Sequence, residues 1–157
     1  MMSPLFHGSA VCDLDPDGGF AVPDLVGKAL EHGELLVARH DAEPCLVGYD
    51  CGRLETLAER GERRRLIGEE RGEDVRDHYR RMRSSFGPVA RMERAGARLR
   101  IPPALRHLGR IGRRALFVGT GDCFEIWSPE LALQSDDPQF RDLAAFHLGT
   151  HDAQGVH

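Results

Sequence analysis

Arginine is the residue whose type and spacing stand out in this chain. Of 21 basic side chains 20 are Arg, and eight of these crowd residues 91–114, where Glu93 is the lone acid. A guanidinium is planar, permanently charged and carries its donors in a fork that fits a phosphate or the O6/N7 edge of guanine. Arg91, Arg94, Arg98, Arg100 and Arg106 therefore stand together as candidate contacts to an anionic partner. If this stretch is a strand, Arg98 and Arg100 share a face. The formal net charge of −4 conceals a strong segregation: residues 1–59 carry −8, residues 60–114 carry +10, and residues 115–157 carry −6. A basic middle between acidic ends points to an anionic partner. The arginines of residues 60–83 interleave with Glu62, Glu69, Glu70, Glu73, Asp74 and Asp77, a pattern of solvated, salt-bridged helices.

Other chemistry is poorly supported. Cys12, Cys45, Cys51 and Cys123 stand at spacings that match no metal motif, and the eight histidines include no HExxH pair. The cysteines are expected to be reduced, buried apolar fillers. No Ser/His/Asp order and no Gly-rich phosphate loop is present, so no enzyme, no metal and no cofactor is expected. Met1–His7 has no basic region followed by an apolar run, and no stretch approaches the ~20 apolar residues of a membrane span. The expectation is a cytoplasmic protein with no membrane partner.

The elements that must position these arginines emerge when the chain is laid against itself. Asp15-Pro16-Asp17-Gly18-Gly19-Phe20-Ala21-Val22-Pro23 answers Arg94-Ala95-Gly96-Ala97-Arg98-Leu99-Arg100-Ile101-Pro102. Each is a tight turn of small residues, an apolar alternation and a Pro suited to open a helix. Short helices follow, on Leu25, Val26, Ala29 and Leu30 in one copy and on Ala104, Leu105 and Leu108 in the other. Leu35–Ala38 then answers Ala115–Val118, and Cys45–Tyr49 answers Cys123–Trp127, as paired short strands. Leu54, Leu57 and Ala58 start a helix after the first copy, and Pro129 starts one after the second. Between the copies Leu66, Ile67, Val75, Tyr79, Met82 and Phe86 recur at helical spacing. That stripe reads as core or as packing between the copies, with Gly68 and Gly72 breaking it into two helices. Pro138, Phe140, Leu143, Ala144 and Leu148 suit an amphipathic C-terminal helix with a frayed end. One copy has too few strands to bury its own face, and two packed into one β-barrel would solve that.

Several of these stretches together resemble the MraZ family. They are Phe6-His7-Gly8, the 15–23 turn, Pro44-Cys45-Leu46, Ile101-Pro102-Pro103-Ala104-Leu105-Arg106, and Phe117-Val118-Gly119 with Phe124-Glu125-Ile126-Trp127. The resemblance runs in order over residues 6–146. It implies an α+β fold: a duplicated AbrB-like swapped-hairpin β-barrel with flanking and inter-repeat helices. The implied domains are 6–54 and 89–132, separated by a helical segment at 55–88 and followed by a C-terminal helix and tail at 133–157. It also implies a nucleoid-associated regulator that forms a homo-oligomeric ring on direct repeats of double-stranded DNA, at the promoter of the division and cell-wall gene cluster. The family's DNA-contacting signature is Asp-x-x-x-Arg with Gly before the Arg. In the first copy Asp15 and Gly18 match and Gly19 replaces the Arg. In the second Arg98 matches, while Arg94 replaces the Asp and Ala97 the Gly, so the resemblance implies Arg98 as the first DNA contact, followed by Arg94 and Arg100, with Arg91 beside them. The missing arginine opens a second reading, an oligomeric scaffold that does not bind DNA specifically.

Overall fold

The computed structural model describes residues 5–31 and 33–155; the opening Met1–Pro4 and the end of the expected frayed tail lie outside them. The first half of the chain forms strands β1 (Ser9–Asp13) and β2 (Gly19–Ala21), helix α1 (Asp24–Leu30), strands β3 (Leu35–Arg39) and β4 (Leu46–Asp50), and helix α2 (Gly52–Glu70). Helix α3 (Val75–Phe86) leads into the second half. There β5 (Ala90–Arg91), β6 (Glu93–Ala95), β7 (Arg98–Arg100), α4 (Pro103–Leu108), β8 (Arg114–Gly119), β9 (Phe124–Trp127), α5 (Pro129–Leu133) and α6 (Pro138–Gly155) follow, with one more strand and one more helix than the first half. The chain is thus α+β, with every strand pair antiparallel.

The two halves exchange strands. β1 pairs with β8 of the second half, Ser9 opposite Val118 through Asp13 opposite Arg114. β5 pairs with β3 of the first half, Leu36 opposite Arg91 and Val37 opposite Ala90. The β3–β4 and β8–β9 hairpins meet along β4 and β9, where Leu46 faces Ile126 and Gly48 faces Phe124. The result is a six-stranded sheet in the order β1-β8-β9-β4-β3-β5 and a three-stranded sheet in the order β2-β7-β6. These are open sheets, with β1 and β5 at the edges of the larger, and not the single closed barrel expected from the strand count. Exchange solves the burial problem in place of closure, because neither half supplies both neighbours for its own strands.

The large sheet is covered on both faces, which is why Leu35–Ala38 and Ala115–Val118 read as unbroken apolar runs. Leu35, Val37, Leu46, Phe117, Phe124 and Ile126 face the small sheet, where Phe20, Leu99 and Ile101 are fully buried. On the opposite face α2 and α3 cover Leu36, Ala38 and Tyr49, and α5 and α6 cover Cys45, Leu116 and Trp127. Phe140 of α6 packs against Trp127 with the rings tilted by 53° and their centroids 4.7 Å apart.

Three expectations are corrected. Gly68 does not break a helix: it stays inside α2, and the chain stops at Gly72, whose φ of +75° sets the left-handed turn. The Glu73 N–H reaches the Gly68 carbonyl and the Gly72 N–H reaches that of Glu69, closing the helix end in a Schellman arrangement. The inter-repeat stripe is not core, since Leu66, Ile67, Val75 and Tyr79 are each about half exposed and only Met82 and Phe86 turn inward. The cysteines are not uniformly fillers either. Cys12 and Cys45 are buried, and burial pushes the Cys12 thiol up to about 12, but Cys51 is exposed.

Candidate nucleic-acid interface

The small sheet holds the turns of both halves. In the first, Asp15 to Gly19 folds back on itself: the Gly18 N–H donates to the Asp15 carbonyl and the Asp15 N–H to that of Gly19, both at 2.8 Å. Gly18 adopts φ +88°, and a Cβ there would lie 3.0 Å from Arg106 Nη1 and 3.1 Å from the Ile101 carbonyl. Both conformation and space therefore demand glycine. Asp17 Oδ1 accepts from the Gly19 N–H at 3.0 Å, a turn-capping role that sequence reasoning missed although Asp two residues before a turn glycine is its usual signal. In the second half Ala95 pairs with Arg98 across a two-residue loop, Gly96-Ala97, with Gly96 at φ +65°. Such loops need a left-handed residue, and Gly96 provides it.

β7 lies between the two turns. Arg98 faces Ala21 on one side and Ala95 on the other, while Arg100 faces Gly19 and Glu93. Directly opposed residues share a face, so Arg98 and Arg100 lie together, opposite to buried Leu99. Arg94 pairs with Leu99 and therefore projects from the other face of the small sheet. Arg91 belongs to β5 in the large sheet and bonds Glu34 through Nε at 3.2 Å. The four candidate arginines thus do not converge: the structure groups Arg98 with Arg100 and separates Arg94 and Arg91 from them.

Arg98 crosses from one half to the other. Its Nη2 donates to Asp15 Oδ2 at 2.8 Å and to the Gly19 carbonyl at 3.2 Å. Its Nη1 has no partner among the described residues, and the side chain is 44% exposed. Arg98 Nε lies 3.9 Å from where a Gly19 Cβ would stand, so the second half's guanidinium covers the place where the first half lacks a side chain. Arg106 completes the cluster by donating through Nη1 to the Pro16 carbonyl at 2.8 Å. Arg100 is held by Glu93, which the sequence displays as the single acid among eight arginines and which sequence reasoning did not assign a role.

One further cluster was not legible from spacing. His40, Cys45 and Glu125 bring a ring nitrogen, a thiol and a carboxylate within 4.8 Å of one another. His40 Nδ1 accepts the N–H groups of Ala42 and Glu43 at 3.0 and 3.1 Å, so the ring proton sits on Nε2 and is given to Glu125 at 3.0 Å. For Nε2 to ligate a cation, that proton would have to move to Nδ1, against two N–H donors. Burial also raises the Cys45 thiol well above its ordinary value, opposing the thiolate that a metal requires. The cluster is a hydrogen-bonded clasp between the halves. Burial pushes the Glu125 carboxyl up, but the His40 and Trp127 donors outweigh it and leave the carboxyl below its ordinary value.

No family model matches the chain. Among curated proteins it is 30% identical over 131 residues to the transcriptional regulator MraZ of Alcanivorax borkumensis, a match that covers 80% of this chain and 84% of that protein. It belongs to the MraZ family. MraZ of Pseudomonas aeruginosa is 29% identical over 133 residues and that of Pseudomonas fluorescens 26% over 130, each match covering 80% of this chain and 82% of the relative. These MraZ relatives are named as transcriptional regulators. Among the described residues no helix is long and apolar enough to cross a membrane.

Proposed function

We propose that this chain is a sequence-specific regulator of the division and cell-wall gene cluster, binding direct repeats in that promoter as a homo-oligomeric ring on the nucleoid. Residues 6–54 and 89–132 are its two AbrB-type swapped-hairpin domains, joined by a helical segment at 55–88. The reciprocal exchange of β1 and β5 supports that assignment. The observation that carries the DNA reading is Arg98. It is oriented through Nη2, by a carboxylate and a carbonyl of the other half, while Nη1 makes no hydrogen bond among the described residues and the side chain is 44% exposed. A guanidinium fixed this way can offer Nη1 to a base edge or a phosphate without first losing its freedom. Arg100 stands on the same face as a second contact. A β-surface approaching the groove is an established way of reading DNA. A few contacts per subunit bind weakly, and several subunits on repeated sites would gain ~10²–10⁴ by avidity, so assembly is integral to the reading.

The scaffold reading also has an observation in its favour, since Asp15 and Glu93 hold the two arginines and Gly19 offers no third. Fluorescence anisotropy separates the two. A duplex from the region upstream of the gene and a scrambled duplex are titrated at two salt concentrations. Preference for the upstream duplex, lost in Arg98→Ala, supports the regulator; equal binding of both duplexes by wild type and variant supports the scaffold. Light scattering tests assembly, and a mass of 17.5 kDa across micromolar concentrations would falsify the ring.

A further inference from the structure

The arginines of residues 60–83 divide into two sets. Arg65 bonds Glu62 and Glu69, and Arg80 bonds Asp77, as exposed pairs along a helix. Arg60 and Arg64 instead line a recess of about 550 Å³ between the α2–α3 pair and strands β3 and β4. Arg53 and Arg81 line it as well, with Asp41 as its acidic lining residue; Arg39 borders it too, but leaves β3 on the face of Leu35 and Val37. Asp41 already accepts the Ser85 hydroxyl at 2.9 Å. Arg53 bonds Asp122 at 2.6 Å, whereas Arg81 has Glu73 no nearer than 3.9 Å. Arg81 Nε is buried and unpartnered, and Arg39, Arg60 and Arg64 form no ion pair, among the described residues.

Cations gathered around a recess focus a positive potential into it, and the donors left unsatisfied are those that phosphate oxygens accept best. The remaining wall is apolar, with Leu57, Met82 and Phe86 beside buried Tyr49. The volume falls within the roughly 300–1,000 Å³ of small-molecule sites. We propose that this cavity is an effector site for a small phosphorylated molecule, held by Arg53 and Arg81 inside and by Arg60 and Arg64 at the rim. Its lining shares no residue with the small sheet that carries Arg98. A duplex displays its phosphates on a convex surface that cannot follow Arg53 and Arg81 into a recess.

The test uses inorganic pyrophosphate as the probe and the intact chain. Isothermal titration at fixed salt should show saturable binding, one pyrophosphate per chain, with the Tyr49 ring resonances shifting as it fills. Arg60→Gln with Arg64→Gln alters two exposed side chains, and should weaken pyrophosphate by about tenfold or more while leaving the melting temperature unchanged. A charge-matched control, Arg63→Gln with Arg71→Gln outside the cavity, should leave binding intact, as should Arg98→Ala. Absence of saturable binding, equal loss in the control, or unmoved Tyr49 resonances would overturn the proposal. The duplex arm distinguishes the source of phosphate. If the Arg60/Arg64 variant loses duplex binding as severely as Arg98→Ala, the cavity serves the DNA backbone and the small-molecule site is wrong.

Discussion

Among the polar ties that cross the boundary between the halves, two differ in what surrounds them. Arg98 of the second half reaches Asp15 of the first at the small sheet, where the two side chains are 44% and 56% exposed. His40 of the first half reaches Glu125 of the second at the large sheet, where they are 23% and 15% exposed. The second tie is closed: Glu125 also accepts Trp127 Nε1 at 3.0 Å, and His40 Nδ1 accepts two backbone N–H groups. The first is open, with Nη1 of Arg98 unengaged among the described residues. A satisfied, half-buried tie belongs to the fold, and an exposed tie with donors to spare is available to a partner. The two halves therefore meet at two seams of different character, one fastening the sheet and one leaving an arginine exposed.

The largest effect should come from the apolar packing both seams depend on. Phe20 of the first half is fully buried against Phe117 of the second, with ring centroids 5.0 Å apart. Phe20→Ala should destabilise by ~3–5 kcal/mol in urea unfolding. If it proves mild, the halves are not held by a shared core. Glu125→Ala comes next, at ~1–3 kcal/mol, because it leaves two partly buried donors without an acceptor. The same tie has a pH signature. A carboxyl held below its ordinary value contributes stability above the ordinary range and loses it as pH falls through the folded-state value. His40 is raised by the same bond and gains stability as pH falls from neutral, so the carboxyl's loss is read below that range: between about pH 5 and about pH 3 stability should fall more in wild type than in Glu125→Gln.

At the open seam the ranking reverses between stability and binding. Arg98→Ala should cost ~1–3 kcal/mol of DNA binding per engaged site. Gly19→Arg should raise affinity and steepen the salt dependence in the same anisotropy experiment. Gly19 is outside the left-handed region, and the tight neighbours of an added Cβ are carboxylate oxygens of Asp15 and Asp17 at 3.2 Å, which a guanidinium can engage. A double-mutant cycle on Asp15 and Arg98 should give the smallest figure, ~1 kcal/mol or less in stability, as expected of an exposed pair. A larger coupling would make this tie structural and erase the contrast between the seams.

Strands and short helices were legible because their signals are local. Pro23 and Pro102 before helices, and the apolar runs of Leu35–Ala38 and Ala115–Val118, fall where the elements form. What escaped depends on pairing between distant residues. His40 and Glu125 meet because Val47 pairs with Glu125 and the neighbouring loop folds over that register, a contact no spacing displays. Arg94 looked equivalent to Arg98 in the linear sequence, but β6 and β7 place them on opposite faces of the small sheet. Gly68 resembled a helix breaker because glycine costs a helix only ~1 kcal/mol on average, an amount that the Gly72 stop four residues later makes immaterial. The half-exposed Leu66, Ile67, Val75 and Tyr79 have helical spacing without a core to face, and periodicity alone does not report what lies opposite.

The strand exchange also bears on the order in which the protein is made. β1 leaves the ribosome first, yet its partner β8 begins about a hundred residues after β1 ends. At synthesis rates of ~5–20 residues per second, β1 waits on the order of five to twenty seconds without its neighbour. During that interval Val11 and Cys12 lie on a strand with a free edge, and early chains carrying β1 without β8 can pair with one another. β5 has no such wait, because β3 is already synthesised when it appears. The second half of the molecule thus completes the first, and nascent chains stalled before residue 114 are the ones expected to need a chaperone.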